Sequence, residues 1–90
     1  MLKDKVVVII GATGGMGAVL CRELAKQGAV LALGSTRKEA LDELCRSLRE
    51  EFAANVQGFA VDATEETSVK QMMEAVEAAF GKVYALVNLA

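Results

Sequence analysis

The chain has 90 residues, 53% of them hydrophobic, with 10 Lys and Arg against 12 Asp and Glu for a net charge of -2. That length suggests one small domain, which buries roughly 60–65% of its unfolded surface, and the scattered cations form no stripe suited to a nucleic acid. No apolar run approaches the ~18 residues of a membrane span, and the stretch before Gly11 is too short for a signal peptide.

The chain contains no His and no Pro, so these residues offer no His-based acid–base or metal chemistry. Cys21 and Cys45 share neither a metal-type nor a C-x-x-C spacing. They read as free thiols, which fits a reducing compartment, and the expected location is cytoplasmic.

Lys5 to Ile10 is the first expected strand. Val6-Val7-Val8-Ile9-Ile10 is an unbroken β-branched run, which suits a strand buried on both faces of a parallel sheet. It leads directly into Gly11-Ala12-Thr13-Gly14-Gly15-Met16-Gly17. Glycines there let the backbone turn sharply and let a ligand come close. The helix expected from about Gly15 to Gln27 aims its unpaired N–H groups and positive dipole end at the turn, a geometry that binds a phosphate or pyrophosphate. The spacing Gly11-x-x-x-Gly15-x-Gly17 fits neither G-x-G-x-x-G nor G-x-x-x-x-G-K-[ST]. A glycine-rich connection without a ligand is the alternative. Met16, Val19, Leu20 and Leu24 make one helical face, expected to be core, and Gly28 stands where a C-cap belongs.

Val30 to Leu33 is the second strand, followed by the turn Gly34-Ser35-Thr36-Arg37. Thr36-x-x-Glu39 reads as a capping box opening the second helix, whose inner face is Leu41, Leu44, Cys45, Leu48 and Phe52. Val56 to Val61 is the third strand, ending at Asp62-Ala63. Thr64 is the expected N-cap of the third helix, with Glu65 and Glu66 in its first turn. Val69, Met72, Met73, Val76 and Phe80 stripe that helix and Gly81 stops it. Val83 to Val87 is the fourth strand, leading into Asn88-Leu89-Ala90.

Apolar strands alternating with helices give βαβαβαβ: an α/β, Rossmann-like doubly wound parallel sheet with three helices and strand order 3-2-1-4. In such a sheet a ligand lies outside the carboxyl ends of the strands where the order reverses, here between strands one and four. The glycine turn, Ser35 to Arg37, Asp62-Ala63 and Asn88 converge on that point.

The Gly11-x-x-x-Gly15-x-Gly17 turn resembles that of the short-chain dehydrogenase/reductase family, with Ile10 where the family usually has Thr. Asp62-Ala63 resembles the family's Asp-Val pair after strand three. Asn88-Leu89-Ala90 resembles the start of its Asn-Asn-Ala-Gly segment, with Leu89 replacing the second Asn. The resemblance spans the whole chain and matches the amino-terminal, cofactor-binding part of such an enzyme. It implies a nicotinamide dinucleotide held by Gly11, Thr13, Gly14, Gly15, Met16 and Gly17 in the turn, by Ser35, Thr36 and Arg37 at the ribose, by Asp62 and Ala63 at the adenine, and by Asn88 and Ala90. The position of the acid that favours NAD falls on Ser35, and no carboxylate lies between Gly28 and Lys38. Arg37 is placed to pair with a 2′-phosphate, so NADP is favoured, with NAD possible. In NADP-using members an Arg often stands where this chain has Thr36, and a basic residue where it has Gly14. Arg37 as a surface charge, and Asp62 as an ordinary strand-end Asp, are the alternatives.

The family's Ser, Tyr-x-x-x-Lys pair and further Asn all lie beyond the fourth strand. The single tyrosine, Tyr84, is followed four residues later by Asn88 rather than Lys and reads as core. No catalytic residue is assigned, and the 90 residues alone are expected to be inactive. Three functions stand: the amino-terminal portion of a truncated NADP-dependent reductase of carbonyl or alcohol substrates, a stand-alone nucleotide-binding or regulatory module, and an inactive folding fragment. The fourth strand shows no charge, no Pro and no bulge signal, so self-association through its open flank is expected.

Overall fold

The computed structural model describes residues 2–90. The elements in chain order are β1 (Val6–Ile10), α1 (Gly15–Lys26), β2 (Val30–Ser35), α2 (Lys38–Phe52), β3 (Val56–Ala60), α3 (Glu66–Phe80) and β4 (Val83–Asn88). All strands are parallel, in the order β3-β2-β1-β4. This is the expected architecture.

Chain handedness explains the layering. The connections β1–α1–β2 and β2–α2–β3 step the same way across the sheet, so right-handed crossovers put both helices on one face. The connection through α3 steps back past β1 to β4, and the same hand puts α3 on the other face. Strand β1 is therefore covered on both sides. Val7 and Ile9 join Cys21, Ala25, Leu31, Leu33, Leu41, Cys45 and Leu48 under α1 and α2. Val6, Val8 and Ile10 join Ala32, Met72 and Val76 under α3. Period-two alternation persists, but both faces are dry, so the sequence shows an unbroken run.

Helix α1 ends as its sequence suggests. Gly28 follows the C-cap Gln27 at φ +81; its N–H donates to Ala25 O, and Ala29 N–H donates to Leu24 O. This is a Schellman closure. Helix α2 closes differently, on a non-glycine residue: its C-cap Ala53 itself sits at φ 53, its N–H donating to Arg49 O and Ala54 N–H to Leu48 O.

Several local expectations are corrected. The Thr36–Glu39 capping box does not form; α2 starts later, with Arg37 as N-cap and no side-chain cap. The turn instead draws on Ser35, whose Oγ accepts from Arg37 N–H at 3.0 Å. Thr64 is not an N-cap either. Glu65 takes that position, while the Thr64 hydroxyl donates to Asp62 Oδ1. On α1, Met16 and Val19 are exposed, at 75% and 64%; the buried residues are Gly17, Cys21 and Ala25, because small side chains let α1 lie close to the sheet. Tyr84 is not core but 60% exposed. The β1–β4 register passes from Val6↔Val83 to Val7↔Ala85, so Tyr84 is the extra residue of a bulge, with Lys5 Nζ 5.4 Å from its ring centroid. Sequence inspection gave no sign of it. Beyond it Ala85 and Val87 face the α1 side half-buried, while Leu86, on the α3 face, is 49% exposed.

Candidate functional site

A cavity of about 370 Å³ opens at the carboxyl ends of the strands. Its floor comes from Ile10 at the end of β1, Gly11 just after it, Val61 after β3 and Ala90 after β4. Thr13 and Gly14 form one wall, Ser35, Thr36 and Arg37 a second, and Asp62, Ala63 and Thr64 a third. Four connections separated in sequence meet because the parallel sheet aligns all four strand ends.

The glycine turn owes its shape to packing. Gly11 has φ +84, and Gly17 lies so close to the turn that a Cβ there would stand 2.7 Å from both Gly11 O and Ala12 O. Gly15 differs: a Cβ would meet no protein atom within 4 Å. The fold thus requires Gly11 and Gly17 but leaves space at Gly15, the first residue of α1. Such space beside free helix N–H groups suits an anion that must come close to backbone.

At the end of β2, Ser35 is only 6% exposed. Its Oγ lies 2.8 Å from Thr13 Oγ1, which ties the glycine turn to β2. Arg37 lines the cavity and forms no ion pair among the described residues, in contrast to Arg22, Lys26, Lys38 and Arg46. A cation at the rim without a carboxylate partner suits a phosphate-bearing ligand.

Asp62 is held in a tight turn. Its Oδ1 accepts from the Thr64 hydroxyl at 2.6 Å and from Thr64 N–H at 3.0 Å, and its own N–H donates to Ser68 Oγ at 3.0 Å. The hydroxyl bond, then the amide bond, hold its carboxyl below the usual carboxylate range. Thr64 was missed as part of the site; the signal was the Asp62-x-Thr64 spacing of an Asx turn. The Thr13–Ser35 bond joins residues 22 apart and left no sequence signal.

The cavity wall does not include Gly15, Met16, Gly17 or Asn88. Met16 points to solvent and Gly17 is buried against the turn. Asn88 turns its Oδ1 back to accept from Ala90 N–H at 3.1 Å. Cys21 and Cys45, buried between α1, α2 and the sheet, have thiols raised by burial, Cys21 up to about 12. Among the described residues no cluster could hold a metal ion, and no helix is long and apolar enough to cross a membrane.

Residues 5–90 match the family model for short chain dehydrogenases. Meso-2,3-butanediol dehydrogenase from Serratia marcescens is 36% identical over 94% of this chain and 33% of its own length. The structure of L-sorbose reductase from Gluconobacter frateurii, complexed with NADPH and L-sorbose, superposes with a TM-score of 0.94 at 36% identity, covering 99% of this chain and 34% of that one. An NAD+-bound xylitol dehydrogenase superposes with a TM-score of 0.90 at 30% identity, over 94% of this chain and 32% of that one. The chain thus spans about a third of the length of the relatives it matches. A match running through every element, from β1 to the segment after β4, is far more than a shared glycine turn, and it establishes that the chain belongs to the short chain dehydrogenase family.

Proposed function

We propose that this chain is the dinucleotide-binding part of an oxidoreductase that interconverts an alcohol and a carbonyl compound, and that it takes NADP(H) in preference to NAD(H). The single observation that carries this reading is the cavity at the strand ends, where the glycine turn, Arg37 and Asp62 face one another. Gly14, Gly15 and the first N–H groups of α1 receive the pyrophosphate. Arg37 pairs with the 2′-phosphate, and Asp62 and Ala63 sit at the adenine. The preference for NADP(H) is supported by a neutral, buried Ser35 where a carboxylate would repel a 2′-phosphate, and by the Arg37 guanidinium, which lines the cavity and forms no ion pair among the described residues. When bound, the nicotinamide supplies or takes the hydride. The residues of this chain bind and orient; none is assigned to proton transfer.

Fluorescence titration with NADPH and NADH tests the reading. NADPH is expected to bind more tightly, and Ser35→Asp to reverse the order. Equal affinities, or tighter NADH, would remove the NADP assignment, and no binding of either would remove the dinucleotide site. A panel of ketones and alcohols is expected to show no turnover by the 90 residues alone; turnover abolished by Gly15→Val would contradict that.

A further inference from the structure

The sheet has two outer strands, β3 and β4, and their open edges differ. Leu31 N–H donates to Asn55 O at 2.9 Å and Val61 N–H to Ser35 O at 3.1 Å. Backbone groups alternate along a strand, so Val56 between them turns outward. Its carbonyl is taken by Arg49 Nη2 at 2.7 Å, which partly closes the β3 edge. On the other side Leu89 N–H donates to Ile10 O at 2.8 Å. Ala85 and Val87 therefore also turn toward β1, and Leu86 and Asn88 turn their N–H and C=O groups away from it. No charged residue stands within β4. Leu86 pairs with Val8 and so lies on the α3 face, 49% exposed, while Ala85 and Val87 lie half-buried on the α1 face.

We propose that the β4 edge is an interface with a second copy of this chain, the two β4 strands pairing antiparallel about a two-fold axis through Leu86. The backbone sets the direction. A two-fold axis along the strands would put equal residues side by side, whereas a parallel ladder bonds each residue between two of its neighbour's, so a closed pair of copies is antiparallel. Outward groups must also meet outward groups. Leu86 opposite Leu86 of the second copy meets this condition and gives two N–H···O bonds on the axis. It lays the two exposed Leu86 side chains together on the α3 face, and Ala85 against Val87 on the α1 face. It also leaves the bulge at Tyr84 near the ends of the ladder, with the two Lys82 side chains beyond opposite ends. The interface runs along the strand and the cleft lies at the strand ends, so the proposal does not depend on the dinucleotide reading. Two short strands stay below the about 1,200 Å² of a standard interface, so a dissociation constant of tens of micromolar is expected.

Equilibrium sedimentation of the 90-residue chain is expected to show association that stops at the dimer. Leu86→Pro removes an outward N–H and no bond to β1, so it should weaken the dimer more than about tenfold while thermal melts show the fold retained. Leu86→Cys brings two Cα atoms to about 5.5 Å and is expected to cross-link the dimer with oxidised glutathione. Gln57→Cys, exposed on β3, is expected not to, and the native thiols are buried. A monomer at tens of micromolar, growth beyond the dimer, equal cross-linking at positions 57 and 86, or a folded Leu86→Pro variant that dimerises normally would each overturn the proposal. Should Leu86→Pro not fold, sedimentation and the contrast between the two cysteine variants decide alone.

Discussion

The backbones of Gly11 and Ala90 are in contact: a Cβ on Gly11 would stand 2.9 Å from Ala90 N, and Leu89 N–H donates to Ile10 O at 2.8 Å. The turn after β1 is thus wedged against the segment after β4, and the floor of the cleft is one packed unit. The three motif glycines therefore carry different duties. Gly11→Ala and Gly17→Ala are expected to destabilise the fold by about 2 kcal/mol each, through strain at φ +84 in the first and overlap with two carbonyl oxygens in the second. Gly15→Val should leave stability within about 0.5 kcal/mol and weaken NADPH about tenfold, since its side chain enters space that the protein leaves open. Urea melts beside binding titrations separate the two classes; a Gly15→Val variant that unfolds, or that binds normally, contradicts the assignment.

The cysteines are expected to be inert in the native chain. Burial raises Cys21 from 9.0 to about 12 and raises Cys45 as well. A thiol raised in the folded state is neutral in both states below its unfolded value. Its effect on stability is therefore absent at neutral pH, and stability falls as pH climbs from 9.0 toward about 12. At pH 8 both thiols should react with a disulfide reagent on the order of 100-fold more slowly than in denaturant. Rapid labelling of Cys21 in the native chain would show that α1 opens readily.

Ala53 ends α2 at φ 53, a conformation that costs an L-residue about 1 kcal/mol. The residue is exposed and its N–H already makes the closing bond to Arg49 O. Ala53→Gly should therefore stabilise the chain by about 1 kcal/mol in chemical denaturation. An unchanged or lower midpoint would mean that the entropy lost by glycine outweighs the relief of strain.

The turn at Asp62 should open in acid. Its carboxyl is held low by the Thr64 hydroxyl and amide bonds, so its contribution is complete above the ordinary value of 3.8 and is lost as pH falls through the lowered one. An NMR titration should leave the Thr64 amide signal unchanged from pH 7 to 5 and move it below about pH 4. Movement centred well above that would show that the bonds to Thr64 are not formed.

Strand β4 pairs on one side, with β1, while Tyr84 lies exposed at the bulge and Leu86 lies exposed on the α3 face. The bulge at Tyr84 shields only the start of the strand. Concentration-dependent association is expected in sedimentation, reduced by Leu86→Lys. A stable monomer at tens of micromolar with cooperative unfolding would contradict it.

Much of the fold was legible because its signals are local. The five apolar residues of β1 announced a strand covered on both faces, and they are buried on both. Gly28 announced the end of α1 through its positive φ. The helix starts were misread because Thr36 and Thr64 look like caps in isolation. In the fold, the bonds at these turns come from Ser35 and Asp62, the last polar groups of the preceding strand ends. Tyr84 was misread because an apolar run implies cover, whereas the cover depends on which neighbouring helices reach that strand.

Period, turn residues and spacing along the chain determined the α/β class and the strand order, since alternating strands and helices with right-handed crossovers leave few topologies, while the glycine turn, Asp62-Ala63 and Asn88-Leu89-Ala90 carried the resemblance to the family. Only the tertiary structure decided which groups do the positioning. The Thr13–Ser35 bond, the closeness of Gly11 to Ala90 and the bulge at Tyr84 all join residues distant in sequence. Their geometry comes from register and burial between elements, which no local pattern encodes.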